Sequence, residues 1–189
     1  MAEMVYYHNG EWVPESQVMI HPYDRGFTMG DVVFDVERTF DGKIFRLKEH
    51  VDRLYRSLQY YRIDPELSMD EMAEISEEAV SRNEDLRPPG GDFAIRQTIT
   101  RGRPGGAFQG SPLDHMTPTV IISADPLVWS HAAHYETGAA AVFPSVRSYS
   151  SSSLDPKAKH YSRGNFVQAQ LQVADVDPHA HPVLLDQNG

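Results

Sequence analysis

A mixed α/β fold is predicted by two segments that alternate with a period of two, Val32 to Phe40 and Phe93 to Gly102, set among segments with helical spacing. The helical signals begin at Glu49 and after Ser68, where apolar residues recur every three or four positions. Turn chemistry separates them: Asn9-Gly10, Asp41-Gly42 and Pro88-Pro89-Gly90-Gly91 each break the chain between periodic runs. The 189 residues suffice for one ordinary domain, or one domain and part of another.

Val5 to Val13 reads as two short strands meeting at Asn9-Gly10, a dipeptide that tolerates the positive φ of a tight hairpin. His21 to Asp31 reads as a sharply bent loop carrying Gly26 and Gly30. In the strand that follows, Val32, Phe34, Val36, Arg38 and Phe40 share one face, and Val33, Asp35, Glu37 and Thr39 share the other. Arg38 among apolar neighbours has two readings: it reaches solvent or an acid at the strand end, or it lines a pocket and holds an anion. A second strand is expected over Lys43 to Leu47 after the Asp41-Gly42 turn.

From Glu49 an amphipathic helix places Val51, Leu54, Tyr55, Leu58 and Tyr61 on one stripe. Arg53 lies off that stripe, where it would pair with Glu49 or Asp52. Ser68-Met69-Asp70-Glu71 has the capping-box pattern and opens a second helix running to about Arg82. In the strand from Phe93, Arg96 shares a face with Ala94, Thr98 and Thr100, and Arg101 follows. Residues 103 to 117 form a Gly- and Pro-containing loop, Pro118 to Ala124 a buried strand, Asp125 to Gly138 a connection, and Ala139 to Val146 a strand. A partly buried helix follows Asn165, and His181 to Asp186 is a further strand.

Composition excludes several functions. The formal charge of -10 offers no concentrated basic surface for nucleic acid. The absence of cysteine rules out disulfides and thiolate metal sites. No apolar run approaches membrane-spanning length and the first residues lack a signal-peptide pattern, so a cytoplasmic location is expected. His131 with His134, and His179 with His181, come without a carboxylate framework, so no metal site is expected.

The reactive candidate lies in Leu154 to Phe166. Pro156 stiffens the approach to Lys159, which sits between a serine-rich loop and a helix, with Lys157, His160 and Arg163 nearby. A lysine near other cations or partly desolvated becomes a nucleophile able to form a Schiff base. Asp155-Pro156-x-x-Lys159, Gly164-Asn165-Phe166 and Leu184-Leu185-Asp186-x-x-Gly189 together resemble the catalytic-lysine region of the class IV aminotransferases, the fold-type IV pyridoxal-phosphate enzymes. That family includes branched-chain, D-amino-acid and (R)-amine transaminases and aminodeoxychorismate lyases. Three further stretches are similar to it: Asp24-x-Gly26-Phe27-x-x-Gly30-Asp31, His50-x-x-Arg53-Leu54 and the Ile95-Arg96 pair. Thr100-Arg101-Gly102 resembles the D-amino-acid and (R)-amine enzymes, whereas Ala94 departs from the tyrosine common in branched-chain enzymes.

The resemblance implies a fold-type IV α/β (α+β) architecture: a small amino-terminal domain over residues 1–130, with an interdomain connection from about residue 125, and the start of a larger cofactor domain over 131–189. It implies pyridoxal 5'-phosphate on Lys159, its phosphate on Arg53, and a substrate pocket formed by Phe34, Val36, Arg38, Arg96 and Arg101. The implied reaction moves an amino group between an amine or amino acid and a 2-oxo acid in a homodimer. Its alternatives are an aminodeoxychorismate-lyase-type elimination, or a non-catalytic fragment of such an enzyme. The family continues past the final turn into a Glu-Gly-x-x-x-Asn segment and phosphate-binding loops, so the chain is expected to correspond to the first half to two-thirds of a typical member.

Overall fold

The computed structural model describes residues 3–104, 116–129 and 132–189. It divides into two units, Met1–Leu127 with Lys159–Ser162, and Val128–Ala158 with Arg163–Gly189.

The first unit is a six-stranded antiparallel sheet with helices packed on one face. The hairpin β1 (Val5–His8) and β2 (Glu11–Pro14) turns at Asn9 and Gly10, both at positive φ, as the dipeptide predicts. The loop at residues 21–31 contains a short helix, α1 (Arg25–Met29), which the glycines concealed. Asp24 caps it by accepting from Gly26 N at 2.7 Å, and Gly30 closes it with a φ of 66°. The same buried Asp24 carboxylate accepts from Thr100 Oγ1 and Thr119 Oγ1, fastening the loop to two later strands.

Strand β3 (Val32–Phe40) has the bounds its alternation predicts. Its partner β4 is only Lys43–Ile44, because Arg46 adopts a φ of 54° and helix α2 (Leu47–Tyr61) begins at once. Helix α3 (Met69–Arg82) starts at a complete capping box: Ser68 Oγ accepts from Glu71 N at 3.2 Å and Glu71 Oε2 accepts from Ser68 N at 2.7 Å. Ser68→Ala is expected to destabilise the protein by about 1 kcal/mol, read as a lower urea midpoint with unchanged slope.

Strands β5 (Phe93–Arg103) and β6 (Thr117–Pro126) complete the sheet in the order β2-β1-β6-β5-β3-β4. The helix-covered face carries Val33, Phe93, Ile95, Ile99 and Ile122, which pack with Leu54, Leu58, Met72 and Ala79 into one apolar core. The opposite face carries Phe34, Val36 and Arg38, with Arg96 directly across from Val36 and Ser123 across from Arg96.

The second unit holds α4 (His134–Thr137), β7 (Ala141–Val142), α5 (Gly164–Ala174) and β8 (His181–Pro182). The strands expected over 139–146 and 181–186 contract to a two-residue parallel pair, in a stretch where Pro144 and Pro182 cannot donate to a ladder. Ala169 and Val173 form the buried side of α5. His131 and most of the loop at 103–117 lie outside the described residues. Among the described residues no helix is long and apolar enough to cross a membrane.

Candidate active site

Lys159 belongs by contact to the first unit, although the sequence sets it some thirty residues beyond the expected domain boundary. Its segment adds to the edge of β3. Phe34 N donates to Lys159 O at 3.1 Å, Tyr161 N donates to Val32 O at 3.3 Å, and His160 forms an antiparallel bridge with Val33. Lys159 N donates to Ser57 Oγ at 3.1 Å, and Ser162 Oγ donates to Gly30 O at 2.9 Å. In such an extended run residues two apart point the same way. Lys159 Nζ and the Tyr161 ring accordingly meet one partner: Nζ lies 4.5 Å from the Phe34 ring centre, and Tyr161 stacks on that ring at 3.9 Å.

The other face of β3 meets α2 in a polar cluster whose acids are buried and whose His50 and Arg53 side chains are partly exposed. His50, Arg53 and Ser57 recur at helical spacing and so lie on one side of α2. Arg53 grips Asp35 with two parallel bonds, Nε to Oδ2 at 2.7 Å and Nη2 to Oδ1 at 2.5 Å. His50 Nδ1 lies 2.9 Å from Asp35 Oδ1. The partner of Arg53 is therefore neither Glu49 nor Asp52 but an acid on the strand beneath it. Ser57 Oγ donates to Arg53 O at 3.0 Å while accepting from Lys159 N, so one hydroxyl links the helix turn of Arg53 to the lysine backbone.

Burial works to raise the Asp35 pKa, but the bonds from Arg53 and His50 and the guanidinium charge overcome it, holding this carboxyl below its ordinary value. Glu37, two residues on, behaves oppositely. Burial pushes its pKa up to about 8 and the Asp35 charge adds to this, against a hydrogen bond from Gln97 and the charge of Arg53. Gln97 Nε2 donates both to Glu37 Oε1 and to Ser76 Oγ. Asp35, Glu37 and His50 bring their ligating atoms within 4.8 Å of one another, a spacing that a divalent ion could bridge. Arg53, bonded to Asp35 and 3.2 Å from His50 Nδ1, already supplies positive charge there.

The three strand arginines separate. Arg38 pairs with Asp92 at 2.7 Å, donates to Thr39 O and lies over the Phe40 ring. Arg101 is saturated by Asp31 and by the carbonyls of Tyr61 and Arg62, which fastens the end of β5 to the carboxyl end of α2. Arg96 is exposed and donates to the Tyr161 hydroxyl; among the described residues it forms no ion pair. Lys159, Phe34, Arg96 and Tyr161 thus gather on one sheet face, with Val36 beside Arg96, while Arg53 sits behind β3 on α2.

Asp35, Glu37 and Tyr161 were not singled out in the sequence. The available signal for the first two was their alternation with Val33 on a strand whose other face was also apolar, which leaves no solvent side. Tyr161 carried no local signal.

The family described as amino-transferase class IV matches residues 32–189. A protein of Methanocaldococcus jannaschii named as a candidate branched-chain-amino-acid aminotransferase is 35% identical over 188 residues, 98% of this chain and 61% of that protein. The aminodeoxychorismate lyase of Bacillus subtilis is 27% identical over 97% of this chain and 59% of its own length. The crystal structure of the branched-chain amino acid aminotransferase of Escherichia coli superposes with a TM-score of 0.83 at 25% identity, covering 100% of this chain and 61% of that one. The chain therefore spans about three-fifths of the length of these relatives and has the fold-type IV architecture. With its family match extending from the first strand of the site through the lysine segment, the chain belongs to the class IV aminotransferases.

Proposed function

We propose that this protein is a pyridoxal-phosphate-dependent aminotransferase that moves an amino group between an amine or amino acid and a 2-oxo acid. The observation that carries this is the Ser57 bridge, which ties the Lys159 backbone to the helix turn of Arg53 while Lys159 Nζ rests against Phe34.

These residues fit the cofactor by their chemistry. Asp35 holds Arg53 from one side, and among the described residues the remaining Nη1 nitrogen has no acceptor, so a phosphate can take it. Lys159 would hold the cofactor covalently through its amine. When bound, pyridoxal phosphate supplies an electron sink for negative charge developing on the substrate. With its amine free, Lys159 would take and return a proton at Nζ. Phe34 and Val36 wall the site, and Arg96 attracts a substrate carboxylate. Arg38 and Arg101 keep the strand ends in place through Asp92 and Asp31.

The donor is a branched-chain amino acid, a D-amino acid or an (R)-amine, and a donor screen against pyruvate and 2-oxoglutarate selects among them. The likeness to the lyase supports elimination as the second reading. Product release from aminodeoxychorismate without a 2-oxo acid would assign that reaction instead. A homodimer in the cytoplasm, with residues 131–189 opening the cofactor domain, belongs to the same proposal and is supported by the family resemblance.

The test is borohydride reduction of the protein with pyridoxal phosphate, followed by peptide mapping. A reduced adduct on the Lys159 peptide is expected. Adducts confined to other lysines in the active protein would overturn the assignment.

A further inference from the structure

A closed ring of hydrogen bonds runs through the lysine backbone. Lys159 N donates to Ser57 Oγ at 3.1 Å, Ser57 Oγ donates to Arg53 O at 3.0 Å, and the Arg53 guanidinium grips Asp35. Asp35 follows Phe34 on β3, and Phe34 N donates to Lys159 O at 3.1 Å, which returns the ring to its start. The peptide groups on either side of Lys159 are thus held by different elements, one by α2 and the other by β3.

We propose that Ser57 is a positioning residue: by closing this ring it holds the Lys159 amine at a set distance from the Arg53 guanidinium, so that a ligand carrying both an aldehyde and a phosphate engages the two at once. This rests on the reading of Lys159 as the covalent anchor and Arg53 as the phosphate partner.

The chemistry of the serine supports it. Alanine has the higher helix propensity, and a serine bonded back to the carbonyl four residues earlier slightly destabilises its helix. Ser57 makes that bond while only 2% exposed, so the hydroxyl is not there for solvent. A hydroxyl has one proton and two lone pairs. With the proton given to Arg53 O, the oxygen is left to accept, and Lys159 N supplies the donor. Among the members of the ring, Ser57 is also the one whose side chain is neither the amine, the guanidinium, its counter-acid nor the ring against Nζ. Removing the hydroxyl opens the ring and leaves each of those groups present. Arg53 stays partly exposed and gripped by Asp35, and Nζ keeps its full stem. What is lost is their spacing. Two anchors reinforce each other only when the protein holds them at the separation the ligand itself has.

The test compares two aldehydes. The full chain is treated with pyridoxal phosphate or with pyridoxal at equal concentration, reduced with borohydride and mapped, at a temperature well below melting. In the parent, pyridoxal phosphate should label Lys159 faster than pyridoxal, because only the phosphorylated aldehyde reaches both anchors. In Ser57→Ala that preference should fall about tenfold, with labelling by pyridoxal nearly unchanged. Ser57→Thr retains a hydroxyl able to make the same bond to the helix carbonyl and should restore the preference. The melting temperature of each preparation identifies any loss of fold. An unchanged preference in Ser57→Ala overturns the positioning role, as does a Ser57→Thr variant of parental melting temperature that fails to restore it. Failure of the underlying reading is seen in the parent alone: adducts confined to other lysines remove the lysine assignment, equal labelling of Lys159 by the two aldehydes removes the phosphate assignment, and either result removes the role of Ser57 with it.

Discussion

Replacing Lys159 with alanine is expected to lower the transamination rate by about a thousandfold or more and to abolish the reducible cofactor adduct, because a positioned nucleophile and base is lost in one step. The fold should survive. The segment is held by backbone bonds, Phe34 N to Lys159 O, Tyr161 N to Val32 O and Lys159 N to Ser57 Oγ, none of which uses the lysine side chain. The measurement is the steady-state rate and the melting temperature of the same preparation, with added methylamine as a replacement amine. Partial recovery of rate by the amine, at an unchanged melting temperature, would place the defect at Nζ. A variant that retains the parental rate would show that Lys159 is not the reacting amine.

Glu37→Gln should make the protein more stable, by an amount that grows with pH. Glu37 titrates near 8 when folded, against an ordinary value of 4.5. Between those values the folded protein holds a proton that the unfolded chain has released, so raising the pH favours unfolding. The stabilising effect of a neutral Glu37 is thus complete below about pH 4.5, declines as pH rises, and is gone above about 8. At about 1.4 kcal/mol per unit this amounts to roughly 3–5 kcal/mol, and the buried side chain is not screened by solvent. Glutamine imitates the protonated acid at every pH. Urea unfolding of both proteins from pH 4.5 to 8.5 should show curves that coincide at the acid end and diverge upwards. Taking the difference cancels the opposite contributions of Asp31 and Asp92, which lie outside the Glu37 cluster and whose lowered values make them lose stability as pH falls. Curves that remain parallel would mean that Glu37 is already ionised in the folded protein.

The sequence by itself determined the periodic elements and their punctuation. β3 and β5 follow the alternation of their side chains, the Asn9-Gly10 hairpin follows from tolerance of positive φ, and α3 begins where Ser68 and Glu71 can cap each other. These are short-range effects, written in residues a few positions apart. Lys159, Arg53 and Arg96 were legible as candidates, because they fall on stretches that resemble family motifs. The element ends at Arg46, Pro144 and Pro182 were less so, because one backbone angle or one missing donor outweighed an apolar run. What only the tertiary structure decided is which charges meet. Asp35 reaches Arg53, Asp92 reaches Arg38, Asp31 reaches Arg101, and Tyr161 crosses 65 positions of sequence to Arg96. A buried charge must find its counter-charge wherever the sheet register brings one. That register is a property of the packed strands, so the arginines paired with acids and the one bonded to Tyr161 become distinguishable only once the sheet has formed.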